Sequence, residues 1–140
     1  VVGARGIVIA ADIQGEMLST VKVRAQEQGL TNVRLLKMND TSVTLPPRSC
    51  DFVLVAFVLH EVPQHATFLN RLERILKPTG QLVVIEWQKR EETDGPPVGD
   101  RLSSDELLAD AVAAGLREHD FRELGESQYL YVFTSARAEA

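Results

Sequence analysis

A chain of 140 residues, 44% hydrophobic and 25% charged, has the make-up of one globular domain with a real core. Its net charge of −5 with scattered basic residues gives no footprint for duplex nucleic acid or an anionic membrane surface, and favours a small-molecule partner. The single cysteine, Cys50, excludes an internal disulfide and a cysteine-based zinc cluster, which fits a reducing, cytoplasmic compartment. No apolar run nears the roughly 20 residues that span a bilayer, and no basic-then-apolar leader is present. The chain starts at Val1 without a methionine, consistent with a longer protein upstream.

Ile7 to Ala11 is a continuous apolar run, the pattern of a parallel strand covered on both faces, and it runs straight into Asp12. A carboxylate at an apolar edge is costly unless a structural partner or a ligand meets it. Met17, Leu18, Val21 and Ala25 recur at helical spacing, with Gly29 as the stop. Val33 to Lys37 is a short second strand; Pro46 and Pro47 argue against a long helix in the polar stretch 39–49. Asp51 to Leu59 reads as a central strand, and Phe68, Leu69, Leu72, Ile75 and Leu76 share one helical face closed by Lys77-Pro78-Thr79-Gly80. Leu82 to Trp87 is a further buried strand.

Residues 88–100 are polar, rich in Gly and Pro and long for a connection, the pattern of a mobile surface loop or lid. Ser103 and Glu106 have capping-box spacing ahead of Leu107, Leu108, Ala111 and Val112, with Gly115 as the stop. Leu116 to Leu124 and Tyr129 to Thr134 are strands joined so closely that they must be antiparallel. The stretch holds no internal repeat or second domain, so residues 1–140 are expected to form a single domain.

The segments "IVIAADIQGEML" (7–18), "CDFVLVAFVLHEV" (50–62), "LERILKPTGQLVVIEW" (72–87) and "YLYVFTSARA" (129–138) together resemble the class I S-adenosylmethionine-dependent methyltransferases. Within them the chain is most similar to the small-molecule branch that includes the ubiquinone and menaquinone biosynthesis type. The turn into a strand at "ILKPTGQLVVIEW" is the more specific mark; an apolar strand ending in Asp is shared by many dinucleotide-binding folds. The resemblance implies an α/β, Rossmann-like, doubly wound and mostly parallel sheet with strand order 3-2-1-4-5-7-6 and a C-terminal antiparallel hairpin. The first readable strand here corresponds to the second of that order. The first strand and its Gly-rich turn, on the order of 30 residues of one β-α unit, have no counterpart, so the domain is expected to be partial.

The resemblance also implies S-adenosylmethionine as cofactor and assigns positions to it. Asp12 would accept hydrogen bonds from both ribose hydroxyls, with a helix N-cap as its plainer role. Ile13 would pack on the adenine, or belong to the core. Asn39 and Asp40 follow the next strand, where Asp40 would accept from the adenine amino group; the loop is one residue longer than the common pattern, which brings Thr41 into play, and an ordinary turn is the alternative. The Ala56 carbonyl would accept from the methionine ammonium. Phe57, His60, Glu61 and Trp87 would face a small-molecule acceptor. His60, whose side-chain type titrates near ~6.5, would act as general base or orient the nucleophile, or serve only as a hydrogen-bonded loop residue. Trp87 would otherwise be core. Three scattered histidines without clustered acids point to no metal.

The implied reaction is in-line attack of the acceptor on a sulfonium methyl, which needs alignment and dry surroundings more than a strong catalytic signature. A non-catalytic module that has lost the cofactor, and a nicotinamide-dependent Rossmann oxidoreductase, are the rival readings. The acceptor, the methylated atom and any homo-oligomer are left open by the sequence.

Overall fold

The computed structural model describes residues 2–139. The chain forms two compact units, Val1–Thr44 and Leu45–Ala140. In the first, strand β1 (Val8–Asp12), helix α1 (Gly15–Glu27) and strand β2 (Val33–Lys37) make a β-α-β unit whose strands pair in parallel, Val8 opposite Val33 through Asp12 opposite Lys37. Asp12 is thus the last residue of its strand.

The expectation that this strand is covered on both faces is corrected. Val8 and Ile9 are 42% and 41% exposed, and of α1 only Leu18 is buried. The physical reason is that, among the described residues, β1 has a single hydrogen-bonded neighbour, β2, and one helix in its unit. An apolar run records the affinity of side chains for cover, not how much cover is present.

The second unit is a four-stranded sheet in the order β3-β4-β6-β5, made of β3 (Cys50–Ala56), β4 (Leu76–Trp87), β5 (Leu116–Leu124) and β6 (Gln128–Ser135). β3 and β4 are parallel, while β6 runs antiparallel to both β4 and β5. Helix α2 (His65–Ile75) packs on β4, α3 (Ser104–Ala113) packs on β5, and the two helices touch each other. The order within the two sheets, β2-β1 and β3-β4-β6-β5, reproduces the 3-2 and 4-5-7-6 segments of the order implied by the resemblance. No described strand stands in the place of its first strand.

The core of this unit follows from the side-chain periods. Phe68, Leu69, Leu72 and Ile75 of α2 are buried, as the helical spacing predicts. In β6, Tyr129, Tyr131, Phe133 and Ser135 alternate inward. Tyr131 stacks on Phe133 at 5.0 Å between ring centroids and lies 4.7 Å from Phe121 of β5. Buried Tyr129 satisfies its hydroxyl by donating to the Leu102 carbonyl at 2.5 Å, and burial, then the nearby Glu86, pushes its pKa well above the ordinary tyrosine value. At the helix start, Ser103 Oγ accepts from Glu106 N at 3.1 Å, and α3 gives way to Gly115 at φ +88°, a conformation that favours glycine.

Two boundaries differ from the sequence-based reading. β3 ends at Ala56 although the apolar run continues to Leu59, because the chain turns out of the sheet at Phe57 into a 3-10 turn, Leu59–Glu61. Leu59 is still fully buried, so the run marked core and not strand. β4 begins at Leu76, six residues before Leu82. Leu76 pairs with Cys50 and Gln81 with Phe52, so residues 77–80 form an irregular bulge in the ladder, read from sequence as a turn.

Gly80 sits in that bulge because nothing larger fits. A Cβ there would lie 2.9 Å from the Cys50 carbonyl oxygen and 3.0 Å from that of Lys77, both backbone atoms that cannot swing aside. Gly80→Ala is therefore expected to destabilise the protein by roughly 1–3 kcal/mol, read as a lower urea midpoint at unchanged slope.

Candidate functional site

The functional candidates of the first unit gather at the carboxyl ends of β1 and β2, where open α/β sheets bind ligands. Asp12 Oδ1 accepts from the backbone N–H of Gln14 at 2.8 Å. Gln14, not Asp12, holds the N-cap position of α1 and makes no side-chain cap. The N-cap role is therefore replaced by a local turn that fixes the carboxylate while its Oδ2 makes no hydrogen bond among the described residues. Ile13 follows at 58% exposed.

The strand pairing brings the second pair of candidates alongside. The Met38 N–H donates to the Asp12 carbonyl at 2.9 Å, so the segment after β2 leaves the sheet beside Asp12. Asn39 and Asp40 come next, both exposed, and Asp40 Oδ1 accepts from Ser42 N at 2.6 Å. Thr41 is half-buried in the same turn. Within this unit, then, two acidic turns and an exposed isoleucine share one end of a parallel strand pair.

In the second unit, candidates stand at the carboxyl ends of β3 and β4. Phe57 N donates to the Ile85 carbonyl at 2.9 Å and the residue adopts φ +59°, a left-handed conformation that costs a non-glycine residue roughly 1–2 kcal/mol. That turn takes the chain out of the sheet one residue after Ala56 and delivers His60 beside β4. Strain of this kind collects where the backbone serves a function. The Phe57 and Trp87 rings lie 5.3 Å apart.

His60 is held closely. Its ring Nδ1 lies 3.0 and 3.1 Å from the two carboxylate oxygens of Glu86, and its backbone N–H donates to Glu86 Oε1 at 3.0 Å. Trp87 N adds a longer donor to Oε2 at 3.3 Å. Glu86 has no exposed surface, the His60 side chain is 9% exposed, and the Glu61 carboxylate, largely in solvent, is 3.9 Å from Nε2. A second histidine, His65 at the start of α2, pairs with Asp110 of α3 at 3.1 Å and ties the helices together.

Two residues of this region escaped the sequence reading. Glu86 is one; its signal was a lone acid inside "LVVIEW", a position that burial would forbid without a partner. The other is Arg101, whose side chain has no exposed surface. Its guanidinium makes four hydrogen bonds, to the carbonyls of Pro96, Gln88 and Asp94 and to Glu92 Oε2 at 2.7 Å, and lies 5.2 Å from the centre of the Trp87 ring. Glu92 also accepts from Ser127 Oγ at 2.6 Å. Residues 88–100, read from sequence as mobile, are thus tied to a buried cation. A Gly- and Pro-rich composition reports only that local ladders are missing, whereas a single arginine supplies five donors for free carbonyls.

The chain is an α/β methyltransferase-type fold by its solved relatives. It matches the S-adenosylmethionine-dependent methyltransferase of Aquifex aeolicus at 32% identity and a TM-score of 0.88, over 95% of this chain and 71% of that one. The [4+2]-cyclase SpnF shares the fold alone, at 17% identity and a TM-score of 0.81, over 92% of this chain and 66% of that one. The model of the ubiE/COQ5 methyltransferase family matches residues 1–94, and the chain belongs to that family. Relatives include a demethylmenaquinone methyltransferase of Geobacillus sp. (strain WCH70), 33% identical over 85 residues, which are 61% of this chain and 36% of that protein. The ubiquinone/menaquinone biosynthesis C-methyltransferase UbiE of Marinomonas sp. (strain MWYL1) is 32% identical over 127 residues, 90% of this chain and 51% of that protein. The chain spans between about a third and a half of the length of these relatives.

Arg101 makes a testable centre for the loop. Its hydrogen bond, followed by that of Ser127, holds the Glu92 carboxyl below the ordinary value of 4.5. A depressed pKa contributes stability above the unfolded value and loses it as the pH falls through the folded one. Protection factors of the 88–100 amides, referenced to the intrinsic exchange rate at each pH, should therefore be higher at neutral pH and fall below about 4.5 as Glu92 takes up a proton, and Arg101→Met should lower them already at pH 7 while the β4 and β6 amides keep their protection.

Proposed function

We propose that this chain transfers the methyl group of S-adenosylmethionine to a small-molecule acceptor, and that its two units are parts of one, partial, methyltransferase domain. The observation that carries the reading is Asp12: a carboxylate at the end of a parallel strand, steered by Gln14 N through one oxygen, with the other making no hydrogen bond among the described residues and Ile13 exposed beside it. No described lysine or arginine pairs with Asp12, which the structural alternative of a buried ion pair would require.

The residues fit the cofactor by their chemistry. Asp12 would take the ribose hydroxyls, Ile13 the adenine face, and Asn39 and Asp40 the adenine edge. Asn39 and Asp40 leave the sheet next to Asp12, as that division of labour requires. The Ala56 carbonyl, at the end of a strand whose chain then turns sharply, would accept from the methionine ammonium. S-adenosylmethionine supplies an already activated methyl, so the protein has chiefly to orient the acceptor and exclude water. Phe57, Trp87, His60 and Glu61 would do this, with the anchored 88–100 segment behind Trp87.

Membership in the ubiE/COQ5 family and the names of the relatives favour a quinol-like acceptor over a macromolecule. No helix among the described residues is long and apolar enough to cross a membrane; a cytoplasmic location is part of the proposal. The oxidoreductase reading has no observation of its own in its favour, and the non-catalytic module makes the opposite prediction for cofactor binding.

Isothermal titration of this chain, and of a form extended upstream, with S-adenosylmethionine, S-adenosylhomocysteine and NAD separates the three. Binding of the two sulfur nucleosides is expected, weakened at least about tenfold by Asp12→Ala, since a carboxylate that meets a diol is worth ~1.5–3 kcal/mol in charge-assisted hydrogen bonds. Binding of NAD alone would favour the oxidoreductase; no binding in either form would favour the non-catalytic module.

A further inference from the structure

We infer that Glu86 is a positioning residue for proton removal: it fixes the His60 ring so that Nε2 accepts the proton of a phenolic or enolic hydroxyl on the methyl acceptor. The inference deepens the methyl-transfer reading above and rests on it.

The geometry makes the assignment. A carboxylate can only accept, so with Nδ1 at 3.0 and 3.1 Å from the Glu86 oxygens, the proton of a neutral imidazole must sit on Nδ1. Nε2 is then the lone-pair nitrogen, and no hydrogen bond among the described residues occupies it. Its nearest charged group is the Glu61 carboxylate at 3.9 Å, on the exposed side. The other groups facing the pair are Tyr129 of β6, close enough to Glu86 to be perturbed by it, and the backbone donors of His60 and Trp87. No described arginine or lysine neutralises Glu86 within 4 Å, so the carboxylate is available to face a cation formed on the ring.

A merely structural role explains this arrangement less well. Replacing a buried polar pair of this size with apolar side chains is commonly neutral or stabilising, so a folded core does not call for one. Nor does the turn after β3 require it, since the His60 N–H would be satisfied by any acceptor at position 86.

The chemistry sets the acceptor class. In the transfer, a bond forms between the acceptor and the methyl carbon, the bond from that carbon to the sulfonium breaks with its electron pair going to sulfur, and the acceptor's hydroxyl proton passes to Nε2. The ring becomes an imidazolium held by Glu86, and the proton leaves to solvent afterwards. An imidazole is matched to a hydroxyl that ionises near ~10, as phenols do, and poorly to an aliphatic alcohol.

The test separates this inference from the reading it rests on. Imidazole ¹⁵N chemical shifts of the labelled chain, with His60 assigned by its loss in His60→Gln, are expected to show Nδ1 protonated and Nε2 bare, and to move toward a mixture of tautomers in Glu86→Gln. With S-adenosylmethionine and prenylated 1,4-naphthohydroquinone as probe, Glu86→Gln should lower kcat about 10- to 100-fold while KM for S-adenosylmethionine stays within about twofold. Glu86→Asp should fall between, and the double variant should be no slower than His60→Gln, as expected of two groups acting as one. Should Glu86→Gln fail to fold, Glu86→Asp and His60→Gln carry the same comparison. A proton on Nε2 in the native chain, an unchanged kcat in Glu86→Gln, or additive losses in the double variant would overturn the inference even where titration shows cofactor binding. Failure of the chain to bind S-adenosylmethionine would remove the methyl-transfer reading and this inference with it, while the ¹⁵N shifts would still report whether Glu86 sets the His60 tautomer.

Discussion

The candidate chemistry of the second unit depends on one carboxyl group with no exposed surface. Glu86 occupies the next-to-last position of β4, amid apolar neighbours, and burial there would be prohibitive without donors. It has three: the His60 ring, the His60 backbone N–H and the Trp87 N–H. Two of them lie on the turn after β3, so satisfying the carboxyl also pins that turn to the end of its neighbouring strand. By contrast Lys77 and Asp51 join the beginnings of the same two strands at 3.0 Å at the surface, the lysine half-buried and the aspartate largely in solvent, and such a pair contributes ~0–1 kcal/mol. The strong polar tie lies at the carboxyl end, where the candidates stand.

A second buried polar tie follows the same logic at a different place. Glu73 of α2, 3% exposed, accepts from Ser135 Oγ at 2.6 Å, with the Arg137 guanidinium 3.7 Å from its other oxygen. This fastens the end of β6 to α2, 62 residues apart in sequence. Arg101 does the equivalent for the 88–100 segment. The second unit therefore holds itself together with an apolar sheet-helix core and a few buried polar anchors, of which Glu86 and Arg101 satisfy groups that the core alone would strand, while Glu73 Oε2 is buried without a hydrogen bond among the described residues.

Much of the architecture was legible because side-chain periodicity is a local property. The segments 7–11, 33–37 and 82–87 each overlap a strand, and the short connection after Leu124 required the antiparallel hairpin that β5 and β6 form. Where the reading failed, local pattern met a non-local cause. Val58 and Leu59 extend an apolar run beyond the strand because a 3-10 turn can also bury a leucine. Leu76 starts β4 early because Cys50 is there to pair with it, which Pro78 and Gly80 concealed. Val8 and Ile9 carry the pattern of a covered strand and lie 42% and 41% exposed, since cover comes from neighbours and not from the strand itself.

The sequence by itself determined the element order, the α/β class, the family resemblance and the acidic residue that ends the first strand, because each is written in short-range spacing. Only the tertiary structure decided which groups meet. It placed Glu86 against His60, 26 residues apart, set Arg101 under the loop that composition described as mobile, and showed that Asp12 spends one oxygen on its own turn. Hydrogen bonds between distant residues depend on how strands register and where turns release them, and neither quantity has a period that a sequence can display.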